Sequence, residues 1–596
     1  MTQLLSWGVA LSSHAHPLLQ RLLQAGLIDS IALPPDGERW RSGELGVVFS
    51  QEWQHSRAVV AVGACGAVTR LIAPLLQGKH SDPAVVVLDP LGRFAVPLLG
   101  GHAAGADALA AAISALLGGE AVLTGGSARP GQLALDSFGR PWGWRRSPGP
   151  WDALMKAAQR QDAISLRHEQ GNGRWQQLDG IGNLNAAPGP SAAALCVSVR
   201  AGEGCRWHPP ALWLGIGCER NTSRSLLERA IRRALERQGL AEQAVAGLAS
   251  AERKADEPAL LELSEQRDWP LRCFSSQALA AVPVPNPSAA VLAELGTGSV
   301  AEAAALLAGG PAACLLQEKT IERAEAGEQG AATVAIAQAT QQWAPQRGQL
   351  HLIGSGPGSL DLLTPDARRA LAQSCVWVGY GLYLDLLEPL RRPDQLRSEG
   401  TLTQERERCR EALDLACQGL TVALVSSGDS GIYGMAGLAL EQWMALEEGD
   451  RPGFTVHPGI SALQLAAARA GAPLMHDFCT ISLSDRLTPW PVIERRLEAA
   501  ARGDFVVALY NPRSQGRDWQ LARAQEILLT GRPAQTPVVV ARQLGRREEA
   551  VSLHSLGDLP TQRVDMLTLV LVGNSSSRVE GGRMVTPRGY PGAELS

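Results

Sequence analysis

A multidomain α/β protein is what this sequence predicts, and three observations carry the expectation. Apolar runs of strand length alternate with helix-length stretches along most of the chain. Two of those runs break abruptly into glycine-rich turns, VALVSSGDSGIYGMAG at 422–437 and HLIGSGPGS at 351–359, as a buried parallel strand does where its C-terminal edge meets a ligand. The length, 596 residues, exceeds what one hydrophobic core supports, and a 45% apolar share is ordinary for globular chains.

Composition removes several classes of function. A formal net charge of -4 leaves no nucleic-acid footprint. No apolar run reaches the roughly 18 residues needed to cross a bilayer, and MTQLLSWGVALSSHAHP lacks the basic start of a signal peptide, so it reads as a first strand. Ten cysteines without a C-x-x-C pair point to reduced thiols in a cytoplasmic protein, and the spacing of Cys196, Cys205 and Cys218 matches no metal-ligand pattern, so no metal site is expected. Only four lysines occur, Lys79, Lys156, Lys254 and Lys319, none in the C-terminal region, which excludes a lysine base or Schiff base there.

In chain order, residues 1–127 read as a first α/β domain. SRAVVAVGACGAVTRLIAPLL is strand, glycine turn and helix, and the following segment repeats the scheme with a hairpin inserted. Gly63-Ala64-Cys65-Gly66 and Gly100-Gly101-His102 are thereby expected in one cleft at the strand C-termini, where the glycines beside His102 open space for a ligand. Residues 128–210, rich in Gly, Pro and Trp, read as a small β-rich or irregular insert. A second α/β unit spans 211–337, opening on the strand LWLGIGC and the capping cluster Asn221-Thr222-Ser223. The stretch 338–347 is the expected linker, and 348–596 is the C-terminal domain.

In that last domain the glycine spacing of GSGPGS fits a Rossmann phosphate loop poorly, because the third glycine comes one position early and Pro357 stiffens the turn. Thr364, Pro365 and Asp366 mark a helix start. Asp429 between its glycines suits a ligand with hydroxyls or a cation, not a bare phosphate.

The segments GSGPGSLDLLTPDA, VGYGLYLDLL, SSGDSGIYGMAG, HPGISALQLAAARAGAPLMHDFCTISLSDRLTPW, DFVVALYNPRS, VDMLTLVLVGNSS and VTPRGY resemble precorrin-3B C(17)-methyltransferase of cobalamin biosynthesis, in family order over 348–592. Related enzymes usually carry Pro where this chain has Ser430. GACGAVTRLIAPLLQGKHSDPAVVVLDPLGRFAVPLLGGHAAGADALA resembles the N-terminal part of cobalt-precorrin-5A hydrolase, and GIGCERNTS, SAERKADEPALLEL, GTGSVAEAAALL and TVAIA its C-terminal part.

The resemblance implies hydrolase-type α/β units followed by a two-lobed tetrapyrrole methyltransferase that uses S-adenosyl-L-methionine as methyl donor, with cobalt only as part of the substrate. Gly354, Gly356, Pro357 and Gly358 would shape one wall of the donor pocket, Gly428 and Asp429 the donor loop, and Ile432 and Tyr433 its apolar side, with Tyr510, Asn511 and Thr568 completing it. Asp485 and His457 are candidates for the base that ring contraction needs. Glu257, His102, Lys79 and Lys254 are candidates for activating water and steadying the oxyanion in lactone opening, since no G-x-S-x-G elbow is present. The expected partners are precorrin or cobalt-precorrin substrates, a second copy of the methyltransferase domain, and pathway enzymes such as the C-11 methyltransferase. Two other readings stand beside this one: a non-catalytic, tetrapyrrole-binding N-terminal half, and a nucleotide-dependent oxidoreductase built on GSGPGS.

Overall fold

The computed structural model describes residues 5–12, 15–34, 40–78, 81–101, 104–123, 133–186, 194–401, 403–514 and 516–590. The chain divides into two units, Met1–Ser137 and Phe138–Ser596.

The first unit is a six-stranded sheet in the order Ser30–Ala32, Leu5–Ala10, Ser56–Val62, Ala84–Leu88, Phe94–Leu99, Glu120–Ala121. Because successive side chains of a strand point to opposite faces, Val60 and Val62 join one core with helices His16–Gln24 and Ala106–Leu117. Val59 and Ala61 join the other with Phe49, Trp53, Val68 and Ile72. The expected single cleft is not formed. Gly63 donates its N–H to Leu88 O, at the C-terminal edge of the parallel strands. The strand before Gly100 runs antiparallel to Ala84–Leu88, pairing Leu99 with Val85. A Cβ on Gly100 would lie 3.2 Å from Ala84 Cα, so Gly100 and Gly101 sit at the opposite edge, about 15 Å away along a five-residue strand. The inserted hairpin reverses the chain and carries its glycines with it. His102 and Lys79 lie outside the described residues.

The second unit contains three modules. The β-rich insert is a five-stranded sheet, Arg145–Arg146, Cys205–His208, Leu195–Val197, Ile164–His168, Leu184–Ala186. Tryptophan supplies its core: Phe138 packs against Trp144, Trp175 and Trp207 with ring centroids 5.9, 4.7 and 5.7 Å apart. The next module is a sheet ordered Leu271–Phe274, Val245–Ala251, Leu212–Cys218, Ala331–Gln338, Cys314–Arg323. Its first three strands are parallel and its last two antiparallel. Helices Arg224–Gln238 and Pro258–Arg267 cover one face, while Ala301–Gly309 packs on the other.

The C-terminal module has two lobes. In the first, five parallel strands run in the order Leu396–Gly400, Val376–Tyr380, Thr421–Ser426, Gln349–Gly354, Gly453–His457. Thr364 caps helix Pro365–Gln373 by accepting a hydrogen bond from Ala367 N–H. The second lobe orders Phe478–Ser482, Val506–Tyr510, Thr568–Val572, Pro537–Arg542, Ala550–Ser555, with only the first pair parallel.

The stretch expected to be a linker is tied into both of its neighbours. Gln342 is fully buried; its amide donates to Trp142 O and Gln418 O at 2.8 and 2.9 Å, and its carbonyl accepts from Trp144 Nε1 at 2.6 Å. Ala339 N–H and Ala344 N–H donate to Ala211 O and Cys417 O. Ion pairs Arg272–Asp450, Arg391–Asp179 and Arg174–Glu411 also join the C-terminal module to the two before it. Replacing Gln342 with Leu leaves three buried polar groups unpaired, and an expected loss of roughly 2–4 kcal/mol should appear as a lowered urea midpoint of the whole chain. Limited proteolysis should cut 338–347 no faster than the helices beside it, whereas rapid cleavage there would mean a free tether.

Candidate functional site

The C-terminal ends of the parallel strands in the first lobe are pressed together by glycine. Gly356 and Gly428 exchange backbone hydrogen bonds at 3.1 and 2.8 Å, both with positive φ (72° and 65°), a conformation that costs glycine nothing. A Cβ on Gly459 would lie 2.1 Å from Gly428 O, and one on Gly354 would lie 2.5 Å from Gly459 N. At Gly354 and Gly459 a side chain would run into backbone. Asp429 fastens it further, accepting from Gly431 N–H at 2.8 Å through Oδ1 and from Gly459 N–H at 3.0 Å through Oδ2. The carboxylate expected to face a ligand thus also holds its own loop, and it retains lone pairs for a further donor.

Beside this junction lies a cavity of about 170 Å³ between the lobes. Of the residues that the resemblance implies for the donor pocket, Pro357, Gly428, Asp429, Ile432, Tyr433, Tyr510, Asn511 and Thr568 line it. Gly354, Gly356 and Gly358 do not; they bring the backbones together behind it. Ser461, Gln543, Arg546, Met566 and Tyr383 also line it, although sequence reasoning did not single them out. Ser461 was findable, because Ser461 and Gln464 form a capping box that opens helix Ala462–Ala470 toward the cavity. Gln543 and Arg546 come from a loop, RQLGRR, with no chemical signature.

Three non-glycine residues held in the left-handed region, Tyr433 (φ 54°), Asn511 (φ 52°) and Gln543 (φ 48°), all line this cavity. Such conformations persist where the surroundings enforce them, and they cluster at functional sites. Tyr433 is held by its hydroxyl donating to Thr480 O at 3.0 Å and by its ring, 5.1 Å from that of Tyr510. Burial pushes the Tyr510 phenol above its ordinary pKa, and its oxygen accepts from Leu463 N–H. Asn511 donates to Ser482 Oγ, and Thr568 Oγ1 donates to Asp565 Oδ1. The Ser430 hydroxyl is fully buried without a hydrogen-bond partner among the described residues.

The two candidate bases stand apart from the cavity wall. His457 is buried; one ring nitrogen pairs with Asp366 Oδ2 at 2.5 Å and the other with His351 Nδ1 at 3.0 Å. With both nitrogens engaged it has no lone pair to offer a substrate, so the expectation of a base gives way to a supporting part in a buried relay. Asp485 follows strand Phe478–Ser482, outside the cavity lining, and accepts from Gln520 Nε2 at 3.2 Å.

A second constellation sits at the C-terminal ends of Leu212–Cys218 and Val245–Ala251. Glu257 is fully buried, 3.7 Å from Lys254 Nζ and 3.6 Å from Arg220 Nη1, and neither carboxylate oxygen has a hydrogen bond among the described residues. Lys254 and Glu257 are thus brought together, but the carboxylate is shut off from solvent, which leaves the cations as the groups placed to meet a substrate. Burial raises the Cys218 thiol to about 11, so it stays protonated and is no nucleophile.

Three family models match: Tetrapyrrole (Corrin/Porphyrin) Methylases over residues 349–560, Cobalamin synthesis G C-terminus over 212–337 and Cobalamin synthesis G N-terminal over 47–128. A probable cobalt-factor III C(17)-methyltransferase from Salmonella typhimurium is 49% identical over 245 residues, covering 40% of this chain and 99% of that protein. A precorrin-3B C(17)-methyltransferase from Sinorhizobium is 41% identical over 258 residues, covering 41% and 98%. A crystal structure described as the methyltransferase CobJ shares 40% identity with a TM-score of 0.39, covering 40% of this chain and all of that one. The chain belongs to the tetrapyrrole methylases, in the branch of the cobalt-factor III and precorrin-3B C(17)-methyltransferases, and carries both cobalamin synthesis G domains ahead of that module. Among the described residues no helix is long and apolar enough to cross a membrane.

The buried relay fixes a dependence on pH. Burial, with His457 beside it and Asp366 opposing, pushes His351 down to about 4. Partial burial works to raise the Asp366 carboxyl, but His457 and Arg369 outweigh it and hold it below its ordinary value. Between pH 6.5 and 4 the unfolded chain protonates this histidine and the folded chain does not, so stability falls as pH drops through that window, by about 3 kcal/mol in all. Denaturant midpoints measured across it should decline, and His351→Gln should flatten the decline.

Proposed function

We propose that the C-terminal module methylates C-17 of precorrin-3B or cobalt-precorrin-3 with ring contraction, using S-adenosyl-L-methionine, and that the preceding domains open the lactone of cobalt-precorrin-5A with release of acetaldehyde. The observation that carries the first activity is the inter-lobe cavity on which eight of the residues implied by the family resemblance converge, three of its walls held in left-handed strain. The donor supplies an electrophilic methyl whose sulfur leaves as a thioether, so the protein's task is alignment.

The residues present fit that donor. Gly428, held at φ 65° where a Cβ would come no nearer than 3.7 Å to Ser461 Cα, puts bare backbone on the cavity wall and leaves room for close approach. Asp429 has lone pairs for ribose hydroxyls or an ammonium group, and Ile432, Tyr433 and Met566 give an apolar wall that excludes water. For ring contraction Asp485 is the better placed of the two candidates, because one of its oxygens has no hydrogen bond among the described residues while His457 is fully engaged.

In the hydrolase, Lys254 and Arg220 would steady the developing oxyanion, with Glu257 beneath them fixing their positions. His102 and Lys79, the other two candidates the resemblance implies, lie in the first unit and outside the described residues. Water is the nucleophile, since the Cys218 thiol is held protonated. Cytoplasmic location, a homodimer through the methyltransferase module and docking of the C-11 methyltransferase complete the reading. The Rossmann alternative is disfavoured because the first two of the GSGPGS glycines pack against backbone instead of facing the cavity.

Incubation with cobalt-precorrin-3 and S-adenosylmethionine should give a product heavier by one methyl group. Gly428→Val, which places a branched side chain at φ 65°, should abolish S-adenosylhomocysteine binding in calorimetry while the 1–337 region stays folded. NAD binding at the same site, or unchanged affinity in the variant, would sink the assignment. Glu257→Gln should lower lactone hydrolysis and leave methyl transfer intact.

A further inference from the structure

We propose that Arg546 is the seat of a ligand carboxylate where the two lobes meet. The inference rests on the methyl-transfer reading and deepens it. Among the described residues lining the cavity, Arg546 is the only arginine, lysine or histidine and Asp429 the only acid. The two are not paired, and both oxygens of Asp429 already accept backbone hydrogen bonds. Among the described residues the Arg546 guanidinium has no hydrogen bond and no ion pair. By contrast, the terminal nitrogens of Arg532, buried in the same lobe, donate to Gly573 O, Ala500 O and Phe505 O. Burial lowers the pKa of Arg546, with only the Tyr383 phenol nearby to oppose it. A partly desolvated, unpartnered cation carries a cost that an incoming anion would relieve.

Its position is built. Gly545 (φ 70°) approaches Gly358 so closely that a Cβ on Gly545 would lie 3.2 Å from Gly358 N, and one on Gly358 would lie 2.8 Å from Arg546 Cγ. The third glycine of GSGPG thus makes room for the arginine stem, and Arg546 N–H donates to the carbonyl of the strained Gln543. A planar guanidinium matches a carboxylate through two parallel hydrogen bonds. Two ligands of this cavity carry one: the amino-acid end of the methyl donor, and the acidic side chains of the macrocycle.

The test compares wild type, Arg546→Gln and Arg546→Lys in three measurements: S-adenosylhomocysteine affinity by calorimetry, KM for the tetrapyrrole at saturating donor, and the thermal midpoint. A weakening of roughly ten- to hundredfold in the Gln variant, partly restored by Lys and with the midpoint unchanged, is expected. In the first measurement it assigns the donor carboxylate, and in the second, with donor affinity intact, an acceptor carboxylate. No change in either, or a loss that follows a fallen thermal midpoint, would overturn the proposal. Wild type failing to bind S-adenosylhomocysteine would overturn the methyl-transfer reading beneath it.

Discussion

Everything in the C-terminal module depends on three backbones meeting without side chains between them. Gly354, Gly428 and Gly459 end or follow three neighbouring parallel strands, and a single methyl group at Gly459 would stand 2.1 Å from a carbonyl oxygen. The contact sets the loops at the strand ends, and Asp429 locks it with two charge-assisted hydrogen bonds. The cavity, the left-handed Tyr433 and the opening of helix Ala462–Ala470 at Ser461 all follow from where that junction puts the chain. The second lobe supplies the opposite wall through Tyr510, Asn511 and the Gln543–Arg546 loop.

The strand-to-glycine breaks were legible because they combine two local signals, apolar periodicity and residues that permit left-handed backbone. Asp429 was reached from its flanking glycines, whereas Tyr433 and Thr568 were reached through the family resemblance, which names positions that no local rule would select. Arg546 and Met566 escaped because they are ordinary residues made special only by the partner lobe. Gly100 and Gly101 were misplaced for a directional reason: the hairpin was visible, but a reversed strand ends at the other edge of its sheet. The stretch 338–347 misled through composition, since polar Gln342 is buried with its hydrogen bonds satisfied inside the protein.

The two proposed centres use charge differently. In the inter-lobe cavity Asp429 is anchored by neutral amides and Arg546 is left open, an arrangement suited to a ligand bearing both signs of charge. At Glu257 the carboxylate is buried beneath two cations and out of reach of solvent, which suits holding positive charge toward a developing oxyanion. Neither centre needs a thiol, and burial raises Cys375, Cys409 and Cys417 to about 12, leaving them as small packing residues.

The buried amide of Gln342 has a genetic consequence. Because it satisfies groups in the tryptophan-cored insert and in the methyltransferase module at once, the two cannot accumulate substitutions independently at that seam. A lesion in one is inherited as a weakness of both. A screen scoring only C-17 methylation would therefore return alleles in Trp144 and its neighbours, far in sequence from any methyl-transfer motif, and recombination that exchanges the C-terminal module between relatives would succeed only when the seam travels with it.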